Sequence, residues 1–173
     1  GLVEAADIVI EASRPRALAR FGLDAEASTD SGTVWVSITA HGRASDRVGF
    51  GDDLAAASGL AVWGADGTPL FCGDALADPL AGLVAAELAM TAPIGGTGML
   101  FDVPMSAVVV STLDTNVDSP SLRSRWEGSG WVVDAAGGPV PVALPRRRPV
   151  TGRAPACGEH TGEVLRELGI PTP

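Results

Sequence analysis

Two short apolar runs organise the start of the chain. Residues 6–12 (ADIVIEA) are apolar between charges, and 33–39 (TVWVSIT) are β-branched with one tryptophan. Continuous runs of this length read as buried strands of a parallel sheet. Between them, ASRPRALARFGLDAEAS predicts a turn at Arg14–Pro15 and a short helix ending near Gly22. Strand, helix, strand is the pattern of a βαβ unit. The polar, glycine-rich stretch 42–53 leads into LAAASGLAVWG, a helix expected to stop around Gly59, and a loop follows over 64–75. The clearest helix is DPLAGLVAAELAMTA, residues 78–92. Asp78 reads as its N-cap and Pro79 as its first residue, where a missing N–H costs nothing. Leu80, Leu83, Val84, Leu88 and Met90 leave almost no polar face, so a buried helix is expected. Residues 98–113 read as a strand running into a packed element.

Beyond that point the pattern weakens. Residues 114–129 are polar and lack apolar periodicity, which predicts a linker. GWVVDAAGGPVPVAL predicts a hairpin turning at 136–138, and GEHTGEVLRELGI a terminal helix with Thr161 as N-cap. The expected fold is α/β: a partial open parallel, Rossmann-like sheet with helices over 1–113, the linker 114–129, and a C-terminal extension of hairpin and helix over 130–173.

Composition narrows the function classes. At 173 residues and 46% hydrophobic, the chain can bury one sizeable core, which excludes wholesale disorder. A net charge of −9 argues against nucleic acid as a partner. No apolar run approaches the roughly 20 residues of a membrane span. Cys72 and Cys157 make no disulfide framework, so a cytoplasmic protein is expected. All twelve basic residues are arginine, and lysine and tyrosine are absent, a bias typical of GC-rich bacterial coding. Schiff-base lysine, tyrosine-acid and P-loop lysine chemistry are thereby removed.

Few residues remain to carry chemistry. The glycines of 95–98 follow a helix and precede a strand, the wrong order for a phosphate cradle. Cys157 and His160 form a lone C-x-x-H with no second pair, so no metal site is expected. The run Arg146, Arg147, Arg148 reads either as a solvated loop or as a phosphate or carboxylate contact. Asp78 opens an apolar helix, whose dipole and unpaired N–H groups keep a carboxylate ionised. Such an aspartate is either a plain cap or a nucleophile able to form a covalent acyl intermediate.

Four segments resemble the family III CoA-transferases, of the formyl-CoA and carnitinyl-CoA transferase kind (CaiB/BaiF type). GDALADPLAGLVAA followed by GGTGMLFDVPM is similar to the family's nucleophilic Asp, Gly, TG-x-G turn and V-D-V-S strand, with Asp78, Gly82, Thr97, Gly98, Asp102 and Val103 in that order. AADIVIEASRPRALARFGLD resembles its A-D-V-V-I-E-N-x-R-P-G…L-x-R-L-G-L-D block. VWVSITAHGR with GFGDDLAAASGL resembles its strand, Phe-Gly loop and S-G-L helix, and ACGEHTGEVLRELGI its C-terminal segment.

The resemblance implies an acyl-CoA transferase that moves CoA between carboxylic acids through an aspartyl-acyl anhydride and an aspartyl-CoA thioester. Asp78 matches the nucleophile, and Arg20 matches an arginine contacting the CoA nucleotide. Coenzyme A would be a thioester substrate, with no cofactor bound permanently. The family's Asn and aromatic of the CoA site are here Ala12 and Ser13. Family members are more than twice as long, so the resemblance also implies a missing first half-sheet and a missing small domain. A homodimer, or a partner chain carrying the missing N-terminal half, is the expected assembly. Two alternatives stand beside transfer: a non-catalytic member acting as a binding or interaction module, and a 2-methylacyl-CoA racemase-type isomerase. The racemase base, a histidine just before Asp52, is replaced by Phe50 and Gly51.

Overall fold

The computed structural model describes residues 1–113, 123–135, 137–144, 146 and 149–171, and of Pro15 the backbone alone. The expected strands form β1 (Ile8–Glu11), β2 (Val34–Thr39) and β5 (Met99–Pro104), a parallel sheet in the order β1-β2-β5. The fold class is α/β, with this open sheet flanked by helices and, among the described residues, two small antiparallel sheets. Val34, Trp35, Val36 and Ser37 are wholly buried, because the central strand is covered on both faces. Val34 and Val36 pack against helix α4 (Ala77–Thr91), and the alternation of a strand sends Trp35 and Ser37 to the opposite face.

The connection from β1 to β2 holds two short helices, α1 (Pro15–Arg20) and α2 (Ala25–Asp30), where the sequence pattern predicts one. Asp24 caps the second by accepting a 3.0 Å bond from the Ala27 N–H. Beyond β2, α3 (Gly51–Ala55) runs into a wide turn, Ala56–Leu60, that ends where Gly59 adopts φ of 103°. The expected loop 64–75 contains half of a hairpin, β3 (Ala61–Trp63) with β4 (Pro69–Phe71). Its tight turn is held by Asp66, whose carboxylate accepts from the Thr68 N–H at 3.0 Å. That bond holds the Asp66 carboxyl below the usual range.

Helix α4 corrects the expectation of full burial. Its buried stripe is Ala77, Ala81, Ala85 and Ala89, four residues apart, while Leu83 and Met90 are 71% and 85% exposed. Small side chains let the helix axis approach the sheet, so the alanines take the inner face and the larger residues stay outside. Helix α5 (Met105–Ser111) closes a second cluster of Leu54, Ala55, Ala77 and Val109 beneath the α3–α4 corner. Leu54 is 1% exposed. Leu54→Ala is expected to cost about 3 kcal/mol, read as a lower urea midpoint at unchanged slope.

The segment expected as a linker carries β6 (Ser124–Glu127), while its residues 114–122 lie outside the described residues. Strand β6 pairs antiparallel with β7 (Gly130–Ala135), which pairs with β8 (Gly138–Pro141). Of the expected hairpin turn, Ala136 lies outside the described residues. Trp126 and Trp131 meet edge to face across the strands at 5.7 Å. The final helix, α6 (Thr161–Glu167), takes His160 as its N-cap position, so Thr161 is its first residue rather than its cap. Among the described residues no helix is long and apolar enough to cross a membrane.

Candidate active site

Asp78 sits in the first turn of α4, one step further in than a cap. The helix opens at Leu76 with no side-chain cap, because Ala75 takes a left-handed φ of 46° and its carbonyl already accepts the Asp78 N–H at 3.0 Å. Pro79 is accordingly the third helical residue, still within the turn whose N–H groups lack helical acceptors. The Asp78 side chain is left unused by capping.

Two acidic residues of α3 hold this corner together. The Asp52 carboxylate accepts from the Ala75 N–H at 2.6 Å, and that of Asp53 accepts from the Phe50 N–H at 2.7 Å. One fixes the strained turn before α4, the other the start of α3. Gly51 lies hard against both. A β-carbon there would stand 2.6 Å from Asp78 Oδ2 and 2.7 Å from the Ala75 carbonyl oxygen. Gly51→Ala must therefore displace the Asp78 carboxylate or the turn behind it. A stability loss of about 1–2 kcal/mol is expected in urea unfolding, with reactivity at Asp78 reduced well beyond that.

Asp78 lines a cavity of about 400 Å³ at the carboxyl ends of the parallel strands. Ala12, Ser13 and Arg14 border it after β1, Ile38–Ala40 at the end of β2, and Met105 after β5. The loop 42–50 supplies the remaining wall. The crevice outside the carboxyl ends of the strands is where open α/β sheets bind ligands. Arg14, Arg16 and Arg47 face this space. Arg16 pairs with Asp46 at 3.1 Å across solvent-exposed surface, so the pair contributes little stability. The three guanidinium groups and an apolar interior suit an elongated ligand with an anionic end.

The sequence-derived site residues separate. Asp78 is at the cavity with Ala12 and Ser13, whereas Arg20 lies in the last turn of α1, exposed and outside the lining. Arg146 is exposed, and Arg147 and Arg148 lie outside the described residues. Thr97 and Gly98 precede β5 away from the cavity, where Gly98 abuts the backbone of Thr29 and Thr33. Among the described residues no group of three His, Cys, Asp or Glu side chains could hold a metal ion.

Sequence reasoning missed Arg43. Its guanidinium, 17% exposed, donates to Ser37 Oγ at 2.7 Å and to both Glu26 oxygens at 3.0 and 3.1 Å, with Glu11 Oε1 at 3.8 Å. Its backbone N–H donates to Asp102 Oδ2 at 2.7 Å. The other Asp102 oxygen accepts from Thr39 Oγ1 at 2.8 Å, and Thr39 Oγ1 accepts from the Gly42 N–H at 3.0 Å. The available signal was Ser37 and Thr39, two hydroxyls inside a buried strand that needs partners for them.

A family model described as CoA-transferase family III matches residues 1–128. The crystal structure of Rv3272 from Mycobacterium tuberculosis in an orthorhombic form aligns at TM-score 0.62 with 24% identity, covering 78% of this chain and 42% of that one. A second structure of Rv3272, described as a hypothetical protein, aligns at 0.63 with 23% identity, covering 78% and 43%. A CAIB/BAIF family protein from Brucella suis aligns at 0.60 with 22% identity, again covering 78% and 43%. At these identities the likeness is one of fold, and the chain spans less than half the length of these structures. No curated protein matches the chain.

Proposed function

Because the chain belongs to CoA-transferase family III, we propose that it moves coenzyme A between carboxylic acids, with Asp78 as the nucleophile. The observation that carries this reading is the Asp78 carboxylate in the first turn of α4, not used as a cap and lining a cavity that three arginines also face. In the first step an Asp78 oxygen attacks the thioester carbonyl of the donor. The carbon–sulfur bond breaks, CoA thiolate leaves, and a mixed anhydride remains. The thiolate then attacks the aspartyl carbonyl, which releases the donor acid and leaves an aspartyl-CoA thioester. The acceptor carboxylate attacks that thioester and frees the thiolate, which attacks the acceptor carbonyl of the new anhydride. Acceptor acyl-CoA departs and the Asp78 carboxylate is restored.

Arg14, Arg16 and Arg47 would meet the phosphates of the nucleotide, and Arg20, one turn of helix further out, its distal end. Coenzyme A enters as a thioester substrate rather than a resident cofactor. Gly51 favours transfer over racemisation, because the α3 position nearest Asp78 offers no second base. A second copy, or a chain carrying the other half of an acyl-CoA site, would complete the enzyme in the cytoplasm.

The test is direct. Protein is incubated with acetyl-CoA or succinyl-CoA, quenched in acid, digested, and its Asp78 peptide examined for the acyl or CoA adduct. An adduct at Asp78 is expected. Coenzyme A binding without any adduct would instead identify a binding module, and absence of both would end the acyl-CoA reading.

A further inference from the structure

One guanidinium contacts side chains behind both walls of the Asp78 cavity. The first wall is the loop 42–50, whose opening is tied through Arg43 to Ser37 at the end of β2 and to Glu26 on α2. The second wall is the segment after β1, where the Ser13 N–H donates to Glu11 Oε2 at 2.7 Å. The Glu11 side chain is 8% exposed and its other oxygen has no hydrogen bond. Among the described residues, Arg43 is the one cation within ion-pair distance of it. A buried carboxylate without a counter-charge is driven out toward water. Its withdrawal would release the Ser13 N–H and with it the second wall.

We infer that Arg43 is the positioning residue of this site, holding the two walls in register from behind without touching substrate. A planar fork of donors suits the task, since one face must reach a hydroxyl and two carboxylates at once. Lysine keeps the charge but cannot span these partners. The catalytic consequence rests on the acyl-CoA reading, whereas the structural half stands without it.

Arg43→Met, Arg43→Lys and Glu26→Gln test this in the full chain. Hydrogen exchange is followed at Ser13, Gly42, Ser45, Arg47 and Phe50, whose amides are hydrogen-bonded, beside the rate of adduct formation at Asp78 with acetyl-CoA. Arg43→Met and Arg43→Lys should each speed exchange at these amides at least tenfold and slow the adduct at least tenfold. Glu26→Gln, which weakens one exposed partner, should shift both a few-fold in the same direction. Val36→Ala serves as the control for general destabilisation: it lowers the urea midpoint but leaves the adduct rate per folded molecule unchanged. Exchange and adduct rates at wild-type values in Arg43→Lys and Glu26→Gln would overturn the inference, even if Arg43→Met does not fold. If wild-type protein forms no adduct at all, the transferase reading falls, and the exchange data still decide whether Arg43 holds the walls.

Discussion

Asp78→Ala is expected to abolish the covalent adduct and to lower CoA transfer at least about 10³-fold. In the proposed reaction the carboxylate oxygen forms the bond, and no other group in the first turn of α4 offers such a nucleophile. Asp78 is exposed and makes no cap hydrogen bond, so its removal costs only the favourable interaction with the helix terminus, about 0.5 kcal/mol. Fold and reactivity should therefore part company: a urea midpoint close to wild type, with no mass shift on the Asp78 peptide. Asp78→Asn sharpens the test, because it keeps the shape and removes the proposed nucleophile. An adduct that persists in either variant would assign the chemistry to another residue.

Gly98→Ala is expected to cost about 3 kcal/mol of stability. A β-carbon at Gly98 would stand 2.5 Å from the Thr33 carbonyl oxygen, and closer still to that of Thr29. Both are backbone atoms, one ending α2 and the other opening β2, so neither can swing aside as a flexible side chain would. The Thr33 oxygen also accepts the Met99 N–H at 3.3 Å, which begins the β2–β5 pairing. Overpacking here pries the third strand from the sheet. Gly96→Ala, two residues away with nothing within 4 Å, should lie within about 0.5 kcal/mol of wild type. Urea unfolding of the two variants side by side checks the contrast, and equal midpoints would refute it.

The strands of the parallel sheet were legible because each is a continuous β-branched run, and tertiary burial agreed with that local preference. Helix α4 was legible in position but not in orientation. Its sequence is apolar on every side, so periodicity carries no direction, and the alanine stripe faces inward only because a close approach to the sheet demands small residues there. Asp78 is not the cap its position before Pro79 suggests for a related reason: the strained turn at Ala75 starts the helix early and turns the aspartate toward the cavity. Helix α2 and the β3–β4 hairpin escaped notice because they are six and three residues per element, too short for a period to show.

The sequence by itself determined the fold class, the family resemblance and the aspartate to examine, since each rests on local pattern and residue identity. The tertiary structure alone decided which residues surround that aspartate. Gly51 against Asp78, Asp52 reaching to Ala75, and Arg43 gathering Glu11 and Glu26 are contacts between segments well separated along the chain. No local period encodes such pairings. They follow from parallel strands delivering their carboxyl ends to one edge, where hydroxyls and charges leaving the core must find partners.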